Sequence, residues 1–388
     1  MGVELHDILE EASQRHALPA VIAYHRIDGP GSSLDLREFQ QALWRLPAMP
    51  DDLWADPSMA WTRGLPRTVG ITISSGTRVE ARPLKPDLIA VESVDEGTRV
   101  RGKPGTIRPT KRKWLLKILD IFGLRGTEFV TQNLQTDTLF AGLGGSATVT
   151  TAVCILANEL AGRPLGAMQI IAMASRMEQD LGISITGTQE QSNVVFGGIR
   201  DYVWFPWGIP GQEATGYGQS LQSELIPPGD YAELEQRMAV FHTGQPRAST
   251  NVNSAWRKAL ATARGFKLHA RKPDIAYRFR EALRLRRWDK VLAAIQGYRE
   301  TRTELCPAYM AGAVEITALA ESRGCASFPL GAGGGGAVLI YSPDPESLRG
   351  LREDLRKTHK EIPFEIRKKG HRLINLPLRS PSSEETKH

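Results

Sequence analysis

Gly142-Leu143-Gly144-Gly145-Ser146-Ala147 is a glycine-rich stretch that runs without a break into a helical pattern. Val149, Val153, Leu156 and Leu160 recur at steps of four, three and four, which is one apolar face of a helix. Gly162 stands just past the last periodic residue and Pro164 just beyond, and both are stop signals. The glycines therefore feed a helix N-terminus. The first backbone N–H groups there have no intrahelical partner and the helix dipole is positive, which suits an anion. Glycine also removes the side chains that would hold a phosphate away from those N–H groups. A phosphate cradle and a tight loop entering a core helix both fit this stretch taken alone. It is not the Walker loop, because no Gly-Lys-[Ser/Thr] ends it.

The surrounding chain sets the class. Its 388 residues suffice for two domains, and 41% hydrophobic with 24% charged residues is the balance of a globular protein. No apolar run reaches the length of a membrane span, and Met1–Asp7 lacks the basic and apolar regions of a signal peptide. Cys154, Cys306 and Cys325 are odd in number and widely spaced, with neither a disulfide framework nor a zinc pattern. A cytoplasmic location is expected. The net charge of +6 is mild. It fits nucleic acid or small phosphorylated molecules.

Outward from the glycine stretch, residues 1–18 read as a polar helix and an N-terminal extension, and Leu18–Tyr24 as a first strand. Thr68–Ser74 and Val79–Pro83 read as paired strands around Ser75-Gly76, with Ile89–Val94 as a third. Residues 45–66 and 208–230 read as loops. Ile170, Ala174, Met177 and Leu181 mark a second helix, Ile199–Phe205 a strand, and 253–323 a run of helices. A second glycine loop, Gly331–Gly336, lies between apolar strands at 325–330 and 337–341. Four consecutive glycines suit either a flexible turn or close approach of backbone to a ligand. Pro345–Thr358 reads as a helix, with closing strands at 363–367 and 372–375. Helices in groups rather than in strict alternation with strands give an α+β class. The expected divisions are 1–18, 19–199, 200–378 and a disordered tail, 379–388.

Several polar residues could carry chemistry, and each also has a plain structural use. Glu178 lies on the second helix, and helical glutamates mostly face solvent. Glu190 stands between two glutamines in Gly187-Thr-Gln-Glu-Gln-Ser. Asp35 precedes the helical residues 36–42 and could cap them. Residues 257–290 hold twelve Lys and Arg against three acids, with aromatic residues interleaved. That pattern fits amphipathic helices with charged outer faces, and it also fits RNA binding.

The glycine stretch resembles the second motif of the GHMP kinases (galacto-, homoserine, mevalonate and phosphomevalonate kinases), whose core reads Gly-Leu-Gly-Ser-Ser-Ala. Gly145 replaces the first Ser and Ser146 keeps the second. Leu330–Ala337 is similar to the third motif of the heptose 7-phosphate kinase branch, and Arg26-Ile27 with Asp35-Leu36 to its first. Glu178 through Phe196-Gly-Gly keeps that branch's register, with Glu190 where the branch has Asp and Thr188 where it has Lys. Phe241–Ser249 is a further echo.

The resemblance implies a GHMP kinase two-domain fold, with a ribosomal S5 domain 2-like N-terminal domain and a ferredoxin-like C-terminal domain. It also implies ATP and Mg²⁺. Gly142, Leu143, Gly144, Gly145, Ser146 and Ala147, with Gly333, Gly334 and Gly335, would hold the nucleotide, and Ser146 and Glu178 the metal. Arg26, Asp35, Thr243 and Arg247 would hold the substrate. Glu190 would be the catalytic residue. The implied reaction is phosphorylation of the anomeric hydroxyl of a phosphorylated higher sugar, a heptose 7-phosphate or octose 8-phosphate. A galacto-, fuco- or glucuronokinase and an inactive sugar or nucleotide sensor are the alternatives. No membrane or nucleic-acid partner is expected, and monomer and homodimer are both open.

Overall fold

The computed structural model describes residues 5–43, 64–135, 141–205, 219–245 and 249–375. The expected loops at 45–63 and 208–218, Arg247 and the tail from 379 lie outside the described residues.

The N-terminal part begins with α1 (Leu5–Gln14), β1 (Ala20–Asp28), α2 (Arg37–Leu43), β2 (Arg67–Pro83), β3 (Ile89–Ser93) and β4 (Thr98–Gly102). It continues with α3 (Trp114–Ile121), β5 (Thr127–Asn133), α4 (Gly145–Leu160), α5 (Ala167–Asp180), α6 (Gln189–Phe196), β6 (Ile199–Phe205) and β7 (Gln219–Glu224). Then come α7 (Tyr231–Glu235), β8 (Met238–His242), α8 (Ser249–Leu260), α9 (Ala263–Arg284), α10 (Trp288–Leu305) and α11 (Val314–Ser322). The chain ends with β9 (Ala326–Pro329), β10 (Ala337–Tyr341), α12 (Pro345–Leu355), β11 (Lys360–Glu361) and β12 (His371–Ile374).

The first sheet has eight strands in the order β12-β1-β2-β5-β3-β4, with β6 and β7 extending from β2. Its organiser is β2, a single strand of 17 residues where the sequence suggested a hairpin. Gly76 does not turn the chain. A Cβ there would lie 2.1 Å from the Ala23 carbonyl oxygen, so the glycine admits β1 at close range. The β1–β2 register shifts between Tyr24 and Arg26, placing an irregularity opposite His25. One edge of β2 pairs with β6 in its first half and β5 in its second. The expected cut after residue 199 therefore falls where β6 joins this sheet, and β12 returns to pair with β1. The expected loop at 208–230 contains β7, and the strand expected at 363–367 reduces to one bridge, Ile73 to Ile366.

The second sheet is antiparallel, in the order β11-β8-β10-β9. Strand period two divides β10 between two cores. Leu339 and Tyr341 join Ile71, Ile199, Phe279 and Ile295 in a core shared by both sheets. Val338 and Ile340 face Ile316 of α11 and Leu348 of α12. The third main core lies between the first sheet and α3, α4 and α5, and it includes Phe129, Val153 and Leu156. Leu9 of α1 is fully buried there, so the N-terminal helix packs against this core.

Candidate active site

The glycine stretch delivers α4 to the mouth of a cleft of about 940 Å³. Gly144 is the N-cap of α4 and no side chain caps the helix, so its leading N–H groups are left to a ligand. Gly145 and Ser146 are exposed at the cleft.

α5 places Glu178 against this terminus. Ile170, Ile171, Ala174 and Glu178 share its buried face, so a carboxyl stands where the helical period calls for an apolar residue. The Ser146 hydroxyl donates to Glu178 Oε1, and Gln191 Nε2 donates to Oε2 at 2.8 Å. Burial, with the charge of Glu190 adding to it, pushes the Glu178 pKa up to about 8 against hydrogen bonds from Ser146, Gln191 and Ser184. Two hard oxygens beside a phosphate-accepting terminus fit Mg²⁺, which characteristically takes one or two protein oxygens and completes its shell with phosphates and water. No group of three or more His, Cys, Asp or Glu placed to hold a metal occurs among the described residues.

Glu190 lies in the first turn of α6 and lines the same cleft. Its Oε1 accepts from Arg26 Nη2. Arg26 also reaches Asp28 Oδ1 with Nε at 2.7 Å and the Gly142 carbonyl with Nη1 at 3.1 Å. Burial opposes the Arg26 charge, but Asp28 and Glu190 outweigh it and raise the pKa. One guanidinium thus ties the first strand, the glycine stretch and the candidate catalytic carboxylate together.

Asp35 is buried and does not line the cleft. Its Oδ2 accepts the Gln189 backbone N–H at 3.1 Å, capping α6 rather than the helix that follows it in sequence. Burial, then the negative charge of Glu190, pushes its pKa up to about 7.

The two glycine loops meet. Ala337 N donates to Ala141 O at 2.8 Å, and Gly331 N donates to Asp28 Oδ2 at 3.1 Å. Gly333, Gly334 and Gly335 do not line the cleft. Their room is taken by the chain itself: a Cβ on Gly333, whose φ is +76°, would lie 2.1 Å from the Tyr309 ring. Thr243 binds Gly336 O through its backbone at 2.8 Å and also lies away from the cleft.

Residues 119–198 match the profile of the GHMP kinases N terminal domain. Solved structures match over nearly the whole chain. The Lin0012 protein of Listeria innocua is 15% identical at a TM-score of 0.69, covering 92% of this chain and 99% of that one. A D-glycero-D-manno-heptose 1-phosphate kinase from Bacteroides thetaiotaomicron is 15% identical at 0.67, covering 92% and 98%. The Methanococcus jannaschii mevalonate kinase is 14% identical at 0.64, covering 91% and 99%.

The chain has the two-domain α+β fold of the GHMP kinases.

The heptose kinase structure and the mevalonate kinase structure match at similar TM-scores, so the likeness favours no one branch. None of the curated proteins matches the sequence. No helix among the described residues is long and apolar enough to cross a membrane.

The sequence does not point to the polar residues that bind this GHMP fold's motifs together. Asp28 and Gln189 are fully or almost fully buried and bonded to each other at 3.1 Å. Arg302 donates to Gly331 O at 2.9 Å and stacks 3.7 Å from the Trp256 ring centroid. Several side chains of the basic segment form solvent-side pairs, such as Arg284 with Glu281 and Arg278 with Asp274. Lys272 instead turns inward and donates to Ser33 Oγ at 2.7 Å. Burial, then the nearby Arg302 charge, lowers its pKa well below the usual lysine range.

Proposed function

We propose that the protein is an ATP- and Mg²⁺-dependent kinase that phosphorylates a hydroxyl of a small anionic molecule. The carrying observation is the Ser146–Glu178 pair at the exposed N-terminus of α4, with Glu190 held across the same cleft by Arg26. The N–H groups at 144–147 hold phosphate oxygens. Mg²⁺ on Ser146 and Glu178 would neutralise charge on the transferring group. The acceptor hydroxyl gives its proton to Glu190 as its oxygen bonds to the γ-phosphorus and the bond from that phosphorus to ADP breaks. Arg26 fixes the Glu190 carboxylate. Catalysis is mainly positioning and charge stabilisation.

For the acceptor, a phosphorylated seven- or eight-carbon sugar reacting at its anomeric hydroxyl is the first choice. Lys272 and Arg302 support an anionic acceptor. Both are fully buried, and among the described residues neither has a carboxylate within ion-pair distance. Burial disfavours the charged form of Lys272 while the nearby Asp35 favours it, and an anionic group on the acceptor would favour it further. Asp35, Thr243 and Arg247 are the further substrate candidates.

Purified protein with ATP and Mg²⁺ should convert one member of a panel of heptose and octose phosphates to a doubly phosphorylated product, read by mass and phosphorus NMR. ADP formation with none of these, but with galactose, fucose or glucuronate, would move the acceptor to that group. A second reading is a sensor that binds without turnover, favoured by the longer Glu190 in place of Asp and its engagement by Arg26. Saturable nucleotide binding with no product from any acceptor would select it.

A further inference from the structure

We propose that His25 is a phosphate-binding residue whose Nε2–H donates to a phosphate oxygen of the nucleotide at the N-terminus of α4. The inference rests on the nucleotide reading above.

His25 is 1% exposed yet forms part of the cleft wall. The β1–β2 irregularity lies at this residue, and such irregularities re-aim side chains. Nδ1 lies 3.3 Å from Ser75 Oγ, which is itself fully buried. Nε2 is buried with no hydrogen-bond partner among the described residues. Buried polar nitrogens are rarely left so. The atom is aimed at the site: a Cβ on Gly145, the first residue of α4, would lie 3.9 Å from it. No side chain caps that helix. Two independent observations thus converge, a helix end lacking an acceptor and a buried ring nitrogen lacking a partner.

The charge state follows from the surroundings, and the tautomer is part of the proposal. Burial, then the adjacent Arg26 charge, lowers the His25 pKa to about 3, so the ring is neutral and carries one proton. A Ser75 hydroxyl donating to Nδ1 leaves that proton on Nε2, facing the cleft. A neutral donor there adds a hydrogen bond to the phosphate without a second desolvated cation beside Arg26.

The test compares the full-length wild type with His25→Leu, His25→Gln and Ser75→Ala, using MgADP, inorganic triphosphate and adenosine as probes in calorimetry. His25→Leu should weaken MgADP and triphosphate by about tenfold or more, the loss of one hydrogen bond to a charged group. Adenosine affinity should be unchanged, and His25→Gln, which keeps an N–H, should recover most of the loss. In ¹⁵N spectra of the wild type, Nε2 should be the protonated nitrogen from pH 5 to 8 and its resonance should move on adding MgADP. Equal MgADP affinity in His25→Leu, or an Nε2 resonance unmoved at saturation, overturns the proposal and leaves an ordered water as the partner. Should His25→Leu not fold, the wild-type spectrum decides. A wild type that binds neither MgADP nor triphosphate overturns the proposal together with the nucleotide reading.

Discussion

Asp28 Oδ2 accepts the backbone N–H of Gly331 at 3.1 Å, joining the end of β1 to the β9–β10 loop across 303 residues of chain. Its other oxygen serves Arg26 and Gln189. Asp28→Ala should leave the buried Arg26 guanidinium short of a counter-charge and the Gly331 N–H without its acceptor. A loss of about 3–5 kcal/mol in urea unfolding is expected. A loss below about 1 kcal/mol would show that the junction is held elsewhere.

Glu178 makes stability depend on pH. Its pKa is near 8 in the folded chain, against an ordinary value of 4.5. The native state therefore holds the proton more tightly, and the stability this contributes is complete below the ordinary value and lost as pH rises through the folded one. Without metal, the melting temperature should fall between pH 5 and 8, and Glu178→Gln should flatten that slope. Asp35, raised to about 7, adds to the same trend. In the kinase reading Glu178→Gln should also cut turnover on the order of 100-fold and raise the Mg²⁺ concentration needed for half-maximal rate. Ser146→Ala should shift the Mg²⁺ requirement in the same direction.

Glu190→Gln keeps the length of the side chain and removes the charge that Arg26 grips. Turnover should fall by about 100- to 10,000-fold, the range for losing a positioned acid–base group, with nucleotide affinity nearly unchanged. Single-turnover kinetics separate the two. A parallel fall in nucleotide affinity would assign Glu190 to the nucleotide instead.

Gly333→Ala places a methyl group 2.1 Å from the Tyr309 ring in a backbone with φ +76°. Left-handed strain and overpacking together should cost about 2–4 kcal/mol. Gly350→Ala, in the interior of α12 with open space at the new methyl, should be neutral or stabilising by up to about 1 kcal/mol. Thermal melts of the two variants provide the comparison.

Lys272→Met replaces a buried amine, whose charged form burial disfavours, with an apolar side chain of similar volume. The ligand-free protein should become more stable, by about 1–4 kcal/mol. The variant should also lose its preference for a phosphorylated acceptor over the same sugar without phosphate. Unfolding curves and competition between the two acceptors read the effects separately, and an unchanged preference would remove Lys272 from the acceptor site.

The helix that opens the site is legible because its signals are local: a glycine run, four apolar residues at helical steps, and Gly162 with Pro164 at the end. The Ser146–Glu178 contact was reachable only through resemblance, since a helical glutamate on the buried face has the same local pattern as a solvent-facing one. The role of Gly76 is not legible, because Ser-Gly has the same composition whether it bends the chain or lets a neighbouring carbonyl approach. Asp35 precedes one helix and caps another 154 residues away, a choice made by tertiary contact. Lys272 is one of twelve basic residues in its segment. Its inward turn depends on where α2 and α8 place Phe39 and Trp256, whose ring centroids lie 5.5 and 5.6 Å from its ammonium.

The last described strand, His371–Ile374, lies alongside the first, Ala20–Asp28. The first and last described strands are therefore neighbours in one sheet, and a cut between them in sequence parts strands that pair. A fragment stopping near 199 would lack β6 and β12 and present the bare flanks of β1 and β2 to other chains, an invitation to aggregate.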